Sequence, residues 1–144
     1  MSLPTRCFLL VLALIASSAV RSASGPIPEA DARAIRSVIE AQLAAFAADD
    51  AEKAFSFASE GIRQTFGTAQ VFIAMVKLNY SVVYRPASVS FLDPEQVDDN
   101  VMQPVEMSDE DGTLWLALYR MQRQPDQSWR IGGCILKRLN GSSA

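Results

Sequence analysis

Apolar residues fall at Ile35, Val38, Ile39, Leu43 and Phe46, the spacing that lines one face of a helix turning every ~3.6 residues. It predicts a long amphipathic helix after the Ser-, Gly- and Pro-rich stretch that ends at Pro28. Asp49 and Asp50 end that helix. An Asp50 carboxylate oxygen can accept the orphan amide hydrogens of a second, short helix carrying Ala54, Phe55 and Ala58. Gly61 and Gly67 mark its irregular end. Thr68 caps a third helix, in which Val71, Phe72, Met75, Val76 and Leu78 make a broad apolar face up to about Tyr80. Arg85 and Pro86 stop anything helical.

From residue 88 the period changes. Residues 88–92, 101–107, 113–123 and 129–139 read as strands. Asp111-Gly112 is a tight-hairpin signal, and Pro125-Asp126-Gln127-Ser128 serves the next reversal, so neighbouring strands are expected to be antiparallel. Helices gathered at one end of the chain and a meander at the other predict an α+β class: N-terminal helices packed on a curved antiparallel sheet. The expected divisions are a signal peptide over 1–24, a linker over 25–30, a single domain over 31–139 and a flexible tail over 140–144.

The front of the chain reads as an export address. Met1 and Arg6 supply positive charge, an apolar run covers residues 7–16, and Ser17, Ser18 and Ala19 are small. Ten apolar residues fall short of the roughly 20 that cross a membrane as a helix, so no permanent membrane anchor is expected. Pairs of small residues place the cut between Ala19 and Ser24, and the mature chain is then periplasmic or secreted. Removing Arg6 and Arg21 from the 13 basic residues leaves 11 against 16 acidic ones, a net charge of −5. Basic residues cluster only at Lys137 and Arg138, so no nucleic acid partner is expected. Cys7 leaves with the signal, and Cys134 remains alone with no internal disulfide available to it. The full chain of 144 residues contains no histidine, which excludes imidazole-based hydrolase dyads and histidine-ligated zinc.

Two strings carry a resemblance: the junction Phe46-Ala47-Ala48-Asp49-Asp50-Ala51-Glu52-Lys53-Ala54-Phe55 and the hairpin Gln124-Pro125-Asp126-Gln127-Ser128-Trp129-Arg130-Ile131. With the order of elements, they resemble the nuclear transport factor 2-like superfamily, the cone-shaped fold shared with SnoaL-like and ketosteroid-isomerase-like proteins. More narrowly, residues 39–57 with Phe72-Ile73-Ala74-Met75-Val76 and Tyr84-Arg85-Pro86 are similar to an exported bacterial group, domain-of-unknown-function family 4864. The resemblance implies the fold and a cavity between helices and sheet, and it implies no activity.

The catalytic set of the isomerase-like relatives, a cavity-facing carboxylate base with a tyrosine or protonated acid, is not visible. The first helix has no tyrosine, and its cavity-facing candidates are apolar side chains and Gln42. Asp49 and Asp50 read as a helix stop and a cap, and no catalytic residue is nominated. Strand alternation sets Trp115, Ala117, Tyr119 and Met121 on one face and Leu114, Leu116, Leu118 and Arg120 on the other, so both faces are apolar. The Trp115 and Tyr119 face is assigned to the cavity. Tyr80, Tyr84 and Arg85 lie where the mouth of a cone would be, and an arginine there could hold an anionic group. Trp129 reads as a pin for the last hairpin. Acid clusters at Asp98-Asp99 and Asp109-Glu110-Asp111 do not make a calcium loop, since Asp109 and Asp111 are followed by Gly112, Thr113, Leu114 and a strand in place of further alternate acids and a later glutamate; they read as solvated turns, so no metal is expected. Gly132 and Gly133 lie inside a strand and predict a bulge or a close contact with the first helix.

The leading functional reading is therefore an exported, non-catalytic domain. It would bind a small apolar or amphipathic ligand, with Trp115 and Tyr119 as walls, Tyr80 or Arg85 near the mouth, and no cofactor. A second reading is an interaction module that forms a homodimer through the sheet face. A third is an isomerase- or dehydratase-like enzyme using a buried carboxylate.

Overall fold

In a computed structural model, which describes residues 25–139, the stripe Ile35, Ile39, Leu43 and Phe46 is the buried face of α1 (Glu29–Ala47). The signal peptide and tail read from the sequence lie outside the described residues, and α1 begins two residues inside the expected linker. At the foot of α1 the chain reverses through Asp49, whose φ of 54° is a left-handed value that aspartate tolerates. The Asp50 carboxylate then accepts from the Lys53 amide at 3.1 Å and opens α2 (Ala51–Ser56).

The second helix was expected to continue through Ala58, and here the structure differs. The segment from Phe57 to Ser59 is pulled alongside the sheet: the Ile131 amide donates to Phe57 O at 2.9 Å, and the Ser59 amide donates to Ile131 O at 2.8 Å. The Ser59 hydroxyl then accepts from the Ile62 amide at 3.3 Å and starts a separate helix, α3 (Glu60–Phe66). Gly61 sits within that helix, and Gly67, at φ 75°, ends it. Thr68 caps α4 (Ala69–Asn79) as its sequence position predicts, accepting from the Val71 amide at 3.2 Å. One further turn, α5 (Ser81–Tyr84), precedes Arg85 and Pro86. Phe72 joins the helices into one layer, with its ring 6.0 Å from Phe46, 5.3 Å from Phe55 and 5.8 Å from Phe66.

The strands are β1 (Ser88–Phe91), β2 (Glu95–Val97), β3 (Asn100–Ser108), β4 (Leu114–Arg123) and β5 (Trp129–Arg138). They form one antiparallel sheet in the order β1-β3-β4-β5, with β2 also paired to β3. The sequence pattern did not distinguish β2, which is three residues long behind Pro94. The acid pair Asp98-Asp99 makes the two-residue reversal between the paired residues Val97 and Asn100. Helices covering one face of an antiparallel sheet make this an α+β fold.

Two local devices shape the sheet. At the break between β1 and β2 the Leu92 amide donates to Pro104 O at 3.0 Å, and proline has no amide to return the bond. The buried Gln103 supplies it instead, its Nε2 donating to Leu92 O at 2.7 Å and to Pro104 O at 2.8 Å. The second device is a bulge in β5. Arg120 pairs with Gly133 and Met121 with Ile131, leaving Gly132 as the extra residue. A β-carbon on Gly132 would come within 2.7 Å of the Gln122 side chain, so the close contact is with β4 and not with the first helix.

Candidate functional site

The core face of the sheet carries Val101, Gln103, Val105 and Met107 from β3, Ala117, Tyr119 and Met121 from β4, and Ile131 from β5, all buried. Between this face and the helices lies a cavity of about 220 Å³. Phe46 of α1, Ile62 and Phe66 of α3, and Met75 of α4 form much of its apolar wall, and Tyr119 and Cys134 contribute from the sheet.

Polar groups around it are few. Gln42, buried in α1, donates its Nε2 to Ala54 O at 3.1 Å and so spends one donor tying α1 to α2. Tyr80 donates its hydroxyl to Cys134 O at 3.2 Å across the rim of β5. Tyr119 is 1 % exposed and its hydroxyl has no hydrogen-bond partner. Burial, with the neighbouring Cys134, pushes that phenol well above its ordinary pKa, so it stays a neutral donor. Desolvation likewise pushes the Cys134 thiol up to about 12 and keeps it protonated. None of the residues lining the cavity is acidic or basic. A charge entering it would therefore meet no counter-ion, and a proton abstraction would find no carboxylate base there.

The four ligand-site residues expected from the sequence divide into two groups. Tyr80 and Tyr119 line the cavity together. Trp115 shares the face of Tyr119 but stands further along β4, where its indole N–H donates to Asp109 Oδ2 at 3.0 Å. Arg85 is drawn to the end of α1, donating to Phe46 O at 2.6 Å and to Asp49 Oδ2 at 3.2 Å, with its guanidinium 4.2 Å from the centre of the Tyr84 ring. The Tyr84 hydroxyl also donates to Asp49, and Lys77 stands 3.7 Å from that carboxylate. This group braces the junction of α1 with α5. Trp129 is buried under the Arg123 guanidinium, 4.8 Å from its ring centre.

Sequence reasoning did not single out Ile62, Phe66, Met75 or Cys134 for the cavity. Ile62 and Phe66 carry the i, i+4 spacing of one helix face, a signal that Gly61 masked. Among the described residues no helix is long and apolar enough to cross a membrane, and no group of three or more Cys, Asp and Glu side chains is arranged to hold a metal.

The fold and its cavity define an α+β domain whose interior wall is apolar apart from a few neutral polar groups. The chain belongs to the domain-of-unknown-function family DUF4864, whose family model matches residues 28–144. No curated protein and no solved structure matches it.

Proposed function

We propose that this is an exported, non-catalytic domain of the nuclear transport factor 2-like kind that holds one small, uncharged, largely apolar molecule between its helices and its sheet. One observation carries the reading: the apolar cavity has in its wall Tyr119, a buried tyrosine whose hydroxyl is unpartnered. A buried donor without an acceptor is costly and uncommon in native proteins, and a ligand carbonyl, ether or hydroxyl oxygen that shifts the cavity wall enough to reach it would relieve it. The absence of charged side chains from the lining favours a neutral occupant. Tyr80, on the same lining, stands at the rim. Export is supported by the positive start, the apolar run over residues 7–16 and the small residues after it.

Native mass spectrometry of the protein purified from its host, compared with Ile62→Trp, tests the proposal. The larger ring would fill the cavity from α3. The wild type is expected to retain an additional small mass that the variant lacks. An empty wild type, or an equal load on both, would overturn the reading. The N-terminal residue found in the same spectrum tests export, with cleavage expected between Ala19 and Ser24.

A further inference from the structure

A second concavity shares no lining residue with the first. It is a cleft of about 510 Å³ between α1, the end of α2 and the turn that joins β4 to β5. Val38, Phe57 and Trp129 give it an apolar side, and Ser37, Ser128 and Arg130 a polar one. Arg130 is half-buried where the other described arginines are exposed, and among the described residues it takes part in no ion pair. It donates to Ser56 O, the carbonyl that ends α2, and the rest of its guanidinium finds no acceptor among the described residues. A partly desolvated cation without a counter-ion is costly. The neighbouring charges are committed elsewhere. Arg123 donates to Asp31 and to Gln127 Oε1 at 3.0 Å and lies over the Trp129 ring. The Asp126 carboxylate turns to Ser128, accepting from its amide at 2.9 Å and its hydroxyl at 2.6 Å. Gln127, on the cleft wall, holds φ 72°, a left-handed value that is strained for a glutamine, and such strain gathers at ligand sites.

We infer that this cleft binds a small monocarboxylate with an apolar body. The two carboxylate oxygens accept in parallel from the N–H groups that Arg130 has to spare, a geometry the planar guanidinium fork favours, and the Ser37 hydroxyl adds a neutral donor on the same lining. The hydrocarbon part of the ligand covers the apolar side at Val38 and Phe57. Asp126 lies near enough to Arg130 for the two charges to be felt by each other. One cation with an acid close by suits a single negative charge, whereas the second charge of a phosphate dianion would be repelled by Asp126. The cavity between helices and sheet selects in the opposite sense, since no charged side chain lines it. The two sites therefore sort ligands by charge, and the cleft does not depend on the cavity being filled.

Titration of isotope-labelled protein with octanoate, 3-phenylpropanoate and octanol, followed by nuclear magnetic resonance at the Trp129 indole and Arg130 Nε–H groups, tests this. At least one carboxylate is expected to shift both resonances saturably with a dissociation constant below about 1 mM, and the pair shows whether an aliphatic or an aromatic body fits. Octanol, without the charge, is expected to bind there at least about tenfold more weakly. Arg130→Gln is expected to raise the carboxylate dissociation constant about tenfold or more, and Arg130→Lys, which keeps the charge but loses the fork, to recover part of that loss. Ser37→Trp, at an exposed position of α1, fills the cleft without touching the Arg130 contact to Ser56 and is expected to block binding, while Ile62→Trp in the cavity leaves it unchanged. No saturable shift from either carboxylate up to about 10 mM would overturn the inference. So would octanol binding as tightly as octanoate, an Arg130→Gln variant of unchanged affinity, or binding lost in Ile62→Trp and kept in Ser37→Trp.

Discussion

Replacing Tyr119 by phenylalanine should make the empty protein more stable and the loaded one weaker, and the two effects can be sized separately. The ring stays, with its packing against the core face of β3 and β5. Only the hydroxyl goes, and in the empty protein it is desolvated and unpartnered. An unsatisfied buried donor costs about 1–3 kcal/mol, so Tyr119→Phe is expected to raise the unfolding free energy by about 1 kcal/mol. For a domain of this size that corresponds to a melting temperature higher by about 4 °C. With the ligand bound the sign reverses. Its oxygen loses a donor inside an apolar cavity, and the dissociation constant is expected to rise about tenfold, equivalent to about 1.4 kcal/mol. Urea unfolding of ligand-free protein, followed by far-ultraviolet circular dichroism, reads the first effect, and retention of the co-purifying mass reads the second. A variant less stable than wild type by 1 kcal/mol or more would show that the hydroxyl is satisfied internally, by a trapped water or a side chain. That result would remove the observation on which ligand binding rests.

The Gln103 amide standing in for the missing amide of Pro104 can be tested by a double-mutant cycle. Gln103→Met strands the Leu92 carbonyl and should cost about 1–3 kcal/mol, while Pro104→Ala in that background restores a backbone donor and should recover much of the loss; strict additivity in urea unfolding would refute the exchange. Cys134, with its thiol raised to about 12, should react with iodoacetamide at pH 8 about a thousandfold more slowly than a free thiol, and labelling within about tenfold of the free rate would show that the thiol is not desolvated. The hydrogen bond from the Trp115 indole leads the causes that hold the Asp109 carboxyl below its ordinary pKa. The stability this contributes is present above the unfolded value of about 3.9 and is lost as pH falls through the lower folded value. The indole N–H resonance should shift only below about pH 4, and a midpoint at or above that value would contradict the bond.

What the sequence disclosed was local. The stripe on α1, the Asp50 and Thr68 caps and the hairpin at Asp111-Gly112 depend on residues within a few positions of one another, and each is where its spacing predicts. α3 was hidden because its start is not set by Ser59 alone: the pairing of residues 57–59 with Ile131, more than seventy residues away, ends α2 and frees Ser59 to cap again. Trp115 and Tyr119 look equivalent by alternation, and only the tertiary course of β4 carries one to Asp109 and the other to the cavity wall.

The sharpest case is β5. Strict alternation from Trp129 and Ile131, both buried, would send Gly133 and Ile135 inward and Cys134 and Leu136 outward. Gly132, the residue the bulge adds, reverses every side chain after it. Cys134 then faces Tyr119 across the strand pair and lines the cavity, while Ile135 and Lys137 join Leu118 and Leu116 on the open face. Glycine suits that position because a β-carbon there would meet the Gln122 side chain, and the Arg120 guanidinium takes the carbonyl that the bulge turns out. The cavity wall with its thiol and the set of side chains on the open face therefore both depend on one inserted residue. Deleting Gly132, which restores strict alternation along β5 and turns Cys134 out of the cavity wall, is expected to abolish ligand retention, whereas Ile135→Asp on the open face should leave it unchanged.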